Sequence, residues 1–107
     1  MPATLTREDV FRLIREDMPR LQRDFGVERL ALYGSFAKGS QSKSSDVDII
    51  VQLARPLGLQ FVALAYHLEE LLGRKVDLAT FASMAKSAEN PRYRHIADDV
   101  QRTLHYV

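Results

Sequence analysis

No cysteine occurs in the 107 residues, so the fold has neither a disulfide staple nor a thiolate-bound metal, and the chain suits a reducing compartment. Neither sign of charge dominates: 15 basic residues stand against 14 acidic ones, for a formal net charge of +1. That balance offers no overall field for gripping nucleic acid by its phosphates, and neither a basic stripe nor an aromatic stacking platform is visible along the chain. Long hydrophobic runs are missing as well. The opening residues, MPATLTREDV, lack the apolar centre of a signal peptide, and nothing approaches the roughly 20 apolar residues of a membrane span. These absences predict a cytoplasmic protein with no membrane attachment and no direct nucleic-acid partner, whose phosphate chemistry, if any, is local.

What is present is enough for a core. Hydrophobic residues make up 46% of a chain close to the usual size of one domain, so residues 1–107 are expected to form a single domain. Thr6 and Asp9 read as a capping box with Leu5 and Val10 as a hydrophobic staple, and Val10, Phe11, Ile14 and Met18 continue an apolar face. Pro19 predicts a kink or break there, with a second helical piece carrying Leu21 and Phe25 and stopping near Gly26. VERLALYG and DVDIIVQL suit strands. Phe61, Leu64, Ala65, Leu68, Leu71 and Leu72 recur at helical spacing ahead of Gly73, and residues 75–79 suit a third strand. Asn90-Pro91 then predicts the start of a final helix with a stripe of Tyr93, Ile96, Ala97, Val100 and Leu104. The expected architecture is a small α/β or α+β domain on a mixed three-stranded sheet packed with helices.

The stretch YGSFAKGSQSKSSDVDIIV carries the chemistry. Strand side chains alternate between faces, so Asp46 and Asp48 point one way while Val47 and Ile49 point the other. Two like charges so close repel where water is scarce, and a hard divalent cation such as Mg²⁺ neutralises them well. Asp77 interrupts the third apolar run in the same manner, and adjacent strands would bring three carboxylates together. Gly34 permits a sharp strand exit, Ser35 can cap the short helix SFAKG, and Lys38 and Lys43 supply local positive charge. Ser45 stands just before Asp46, where it can contact a nucleotide or only orient the loop. An anion-binding turn facing a carboxylate metal site is what phosphoryl or nucleotidyl transfer requires. His67, His95 and His105 read as ordinary surface, and the arginines at 92, 94 and 102 as a solvated helix face.

Gly34-Ser35, ten residues, then Asp46-Val47-Asp48 resembles the GS-x10-DxD signature of the DNA polymerase beta superfamily of nucleotidyltransferases. Residues 28–80, including LEELLGRKVDLAT, are similar to the minimal nucleotidyltransferases paired with HEPN-domain toxins. The resemblance implies the nucleotidyltransferase fold and Mg-ATP as donor. It implies that Asp46, Asp48 and Asp77 hold metal and act in catalysis, with Asp77 helping to deprotonate the acceptor, and that Gly34, Ser35, Lys38 and Ser45 bind the nucleotide. It further implies AMP transfer to a tyrosine hydroxyl of a HEPN-type toxin, so that the protein is an antitoxin working in a hetero-oligomer or homodimer. Larger relatives complete the substrate site with a further helical domain; its absence before Val107 suggests that another chain supplies that wall. A non-catalytic antitoxin that neutralises its partner by stoichiometric binding is the alternative.

Overall fold

The computed structural model describes residues 5–39, 45–89, 91–92, 102 and 104–107. Its elements run α1 (Arg7–Phe25), β1 (Val27–Tyr33), α2 (Gly34–Lys38), β2 (Val47–Leu53), α3 (Gln60–Leu72), β3 (Val76–Thr80), α4 (Phe81–Glu89) and β4 (His105–Tyr106). The sheet has four strands in the order β3-β2-β1-β4, one more than expected. β1 pairs antiparallel with both β2 and β4, while β2 and β3 run parallel. The parallel pair follows from the crossover through α3, which carries the chain back along the sheet.

The start of α1 forms as the sequence predicts. Asp9 N–H donates to Thr6 Oγ1 and Thr6 N–H donates to Asp9 Oδ2, both at 3.1 Å. Contrary to expectation, α1 then runs unbroken through Pro19 to Phe25. Pro19 and Arg15, one turn earlier, are both exposed, so the carbonyl that loses its partner lies where water can replace the missing hydrogen bond. Gly26 ends the helix in the left-handed conformation.

The main core lies on one face of the sheet. Leu30, Leu32, Val47, Ile49 and Val51 meet Val10, Ile14 and Leu21 of α1 and Leu64, Leu68 and Leu72 of α3, all buried. Each such side chain contributes roughly 1.5–3 kcal/mol on leaving water, which makes this face the main source of stability. His67 belongs to the same helix pair rather than to open surface: its Nε2 lies 2.6 Å from Asp17 Oδ2, and both side chains are largely shielded. α4 occupies residues where no helix was expected, and Thr80 caps it by accepting from Ser83 N–H at 3.0 Å. Of the expected final stripe, Tyr93, Ile96, Ala97 and Val100 lie outside the described residues, while Leu104, expected in that helix, stands in no helix just before β4.

Candidate active site

The other face of the sheet holds the acids. Tyr33 of β1 pairs with Asp48 of β2, and Asp48 pairs with Asp77 of β3, so these three form one row across the sheet, facing the same way. Asp46 precedes β2 by one residue and is exposed, as Asp77 is, whereas Asp48 is partly buried. Val47 and Ile49 between them are fully buried in the core, which is the alternation expected of a half-covered strand. The two strands set Asp48 beside Asp77, and the charge of Asp46, just before β2, also reaches Asp48.

Burial pushes the Asp48 carboxyl up to about 6, and the nearby charges of Asp77 and Asp46 push it the same way. Tyr33 is raised to about 12, by burial first and then by Asp77 and Asp48. Every cause at Asp48 disfavours its charged form, and among the described residues no cation offsets them. A site with that imbalance suits a bound positive charge. Among the described residues no group of three His, Cys, Asp or Glu side chains converges closely enough to form a metal cage. The donor set therefore fits a hard cation that takes part of its coordination from water and phosphate oxygens, not one enclosed by protein.

Gly34 stands against the acids. Its φ is +72°, and a Cβ there would collide with Asp48 Oδ2. Glycine thus allows both the left-handed strand exit and the close approach of backbone to carboxylate. α2 begins at Gly34 with Tyr33 as its N-cap and no side-chain cap hydrogen bond. The expected capping role of Ser35 is not observed, because the helix starts one residue earlier and places Ser35 within its first turn. Lys38 ends α2 and is exposed. Lys43 and Ser44 lie outside the described residues.

Arg74, which the sequence reading passed over, joins the separate parts of the site. Its Nη1 donates to the Ser45 carbonyl at 3.2 Å, and its guanidinium lies 5.4 Å from the centre of the Phe36 ring in α2. The adjoining backbone is fixed by Val47 N–H donating to the Lys75 carbonyl at 2.9 Å and Val76 N–H donating to Glu69 Oε2 at 3.1 Å. Ser45 is thus anchored through its carbonyl. The only advance signal for Arg74 was its place between the Gly73 helix stop and the third strand.

A strand leading into a Gly-Ser turn, set against acids on two neighbouring strands, defines a nucleotidyltransferase. The chain belongs to the nucleotidyltransferase domain family, whose model matches residues 12–102, and within it to the minimal nucleotidyltransferases. It is 34% identical over 106 residues to the protein adenylyltransferase MntA of Thermococcus cleftensis, covering 98% of this chain and 99% of that protein. It is 32% identical over 80 residues to the protein adenylyltransferase MntA of Shewanella oneidensis, covering 74% of this chain and 53% of that protein. A solved structure described as a minimal nucleotidyltransferase superposes with a TM-score of 0.68 at 26% identity, covering 97% of this chain and 98% of its own. Among the described residues no helix is long and apolar enough to cross a membrane.

Proposed function

We propose that this protein transfers AMP from Mg-ATP to a hydroxyl of a partner protein, a tyrosine of a HEPN-type toxin, and so acts as its antitoxin. The observation that carries the reading is the row of Asp48 and Asp77 on parallel strands with Gly34 packed against Asp48. Similarity to protein adenylyltransferases over nearly the whole chain supports ATP as donor and a polypeptide as acceptor. The cysteine-free sequence is consistent with work in the cytoplasm by residues 1–107 as one domain, in a complex with the toxin.

In this reading Asp46 and Asp48, with Asp77, would hold Mg²⁺, which would neutralise the carboxylates and the phosphate oxygens. The backbone of Gly34 and Ser35, with Lys38 and Ser45, holds the triphosphate. Asp77 accepts the proton of the acceptor hydroxyl as that oxygen bonds to the α-phosphorus. The bond from the α-phosphorus to the β-bridging oxygen breaks, and pyrophosphate leaves with its electron pair. Most of the catalysis is positioning and charge neutralisation.

The test is to incubate the protein with Mg²⁺, ATP labelled on the α-phosphate and the protein encoded by the neighbouring gene, beside an Asp46→Asn/Asp48→Asn variant. Label on the partner only with the intact aspartates is expected. Suppression of the partner by the variant, with no label in either reaction, would replace transfer by stoichiometric binding.

A further inference from the structure

The face that carries the acids continues into a second, differently built surface. Ala31, Ile50, Ala79 and Tyr106 form the next row across the sheet, and Arg29 pairs with Gln52 in the row beyond. Rows on one face are two residues apart, about 7 Å, so Arg29 lies about 13 Å along the strands from Asp48. Ala31 and Ile50 are buried yet lie outside the main core cluster, so the middle of this face is covered. Phe81, just beyond β3, and Tyr106 of β4 reach in from the two sheet edges and stack with centroids 6.1 Å apart and planes 7° from parallel. The Arg29 guanidinium lies 5.1 Å from the Phe81 ring centre and 5.4 Å from that of Tyr106. Its Nε donates to Gln52 Oε1 at 2.7 Å.

Every contact of Arg29 among the described residues is therefore with a neutral group, although its side chain is held from two sides. A guanidinium fixed in place without a carboxylate is a receptor for an anion. Tyr106 remains 51% exposed beside it, which adds an aromatic surface. A cavity of about 730 Å³ opens next to the same cluster, lined by Gln52, Arg55, Leu57, Phe61 and Phe81 among others, with no acidic residue in its wall. Positive charge and aromatic faces on the side of the sheet where the acceptor must reach Asp48 and Asp77, with an apolar hollow at the adjoining end of the strands, fit a polypeptide better than a nucleic acid. One guanidinium on a chain of net charge +1 does not make a phosphate track.

We propose that Arg29, Phe81 and Tyr106 form the docking surface for the acceptor polypeptide, and that Arg29 pairs with an acidic side chain near the modified hydroxyl. The proposal rests on the reading of the adjacent site as a protein nucleotidyltransferase. An acid about four residues from the tyrosine in an extended acceptor spans the 13 Å separation, at about 3.3 Å per residue.

The test measures binding separately from transfer. Fluorescent poly(Glu,Tyr), poly(Lys,Tyr) and a single-stranded oligonucleotide are titrated against the wild type and the Arg29→Glu, Arg29→Gln and Arg29→Lys variants, with ATP binding and melting temperature read alongside. The wild type is expected to bind poly(Glu,Tyr) at least tenfold more tightly than poly(Lys,Tyr). Arg29→Glu and Arg29→Gln lose that preference, Arg29→Lys keeps most of it, and ATP affinity does not change. Equal binding of the acidic polymer by wild type and Arg29→Glu, or tighter binding of the oligonucleotide, overturns the docking surface. Parallel reactions with α-labelled ATP separate the two ideas: charge-dependent binding without label supports the surface and counts against transfer.

Discussion

Asp48 and Asp77 are direct neighbours on parallel strands, with both carboxylates on the face of the sheet opposite the main core. Burial and the neighbouring charge of Asp77 raise the cost of charging Asp48, the more buried of the two. A fold that keeps such a pair gives up stability for a site whose charge suits a cation.

That cost is measurable. Asp48 is raised from 3.8 to about 6 in the folded state, so between those values the native protein binds more protons than the unfolded chain, and stability falls as pH rises. The penalty is absent below pH 4 and complete above pH 6. After discounting for its partial exposure it amounts to about 1 to 2 kcal/mol. Asp48→Asn should melt several degrees above the wild type at pH 7.5, with the two curves converging near pH 4. A gap that does not change with pH would show that the carboxylate charge is not its source. Mg²⁺ with nucleotide should narrow the gap by stabilising the wild type alone.

Gly34→Ala tests the opposite wall. The substitution forces a side chain into a left-handed conformation and drives its Cβ into Asp48 Oδ2. The conformational part costs about 1 to 2 kcal/mol, which the fold can survive. Displacement of Asp48 should be far more damaging to transfer, lowering it by roughly 100-fold or more. Melting curves and labelled transfer, measured on the same preparation, check the separation. Near-normal transfer would mean that α2 can retreat without disturbing the acids.

The fold class and the placement of the acids were legible in the sequence, the extent of individual elements less so. Asp46, Asp48 and Asp77 interrupt apolar runs, and an acid inside an otherwise buried strand is a strong local signal. Their adjacency was conditional on the two strands lying side by side, which the crossover through α3 provides. β4 was hidden because a two-residue strand, His105–Tyr106, has no periodicity to detect, and it takes its register from β1. α4 was hidden because a helix of 9 residues, Phe81–Glu89, has too few turns for its apolar stripe to stand out. Pro19 misled because a proline signals a break only when the carbonyl it orphans cannot reach water. The cluster of Arg29, Phe81 and Tyr106 draws on residues far apart in the chain, so no window of sequence contains it.

His67 and Asp17 hold α1 against α3 on the face away from the acids. His67→Ala removes one partner and leaves a largely shielded carboxylate without it, at a cost of about 1 to 3 kcal/mol. His67→Gln, which can still donate, should lose less. Transfer per folded molecule should be unchanged in both. Chemical denaturation and labelled transfer at saturating ATP decide the matter, and a loss of transfer with normal stability would place this pair in the active site after all.

Arg74 is the connection between the Gly-Ser turn and the acids, since it donates to Ser45, next to Asp46, and lies over Phe36 of α2. Phe36 belongs to the main core cluster, so Arg74→Ala, which removes the cation–π contact and the hydrogen bond to Ser45, should cost only about 1 to 2 kcal/mol in stability. Freeing Ser45 lets Asp46 drift, and a displacement near 1 Å at a reacting centre can cost about 100-fold in rate. The expected result is a 10- to 100-fold fall in kcat, because the loss concerns alignment during the chemical step. Arg74→Lys keeps a cation and one donor but not the flat stack on the ring, and should fall between the two. If Arg74→Ala transfers at the wild-type rate, Asp46 is held by its own strand alone.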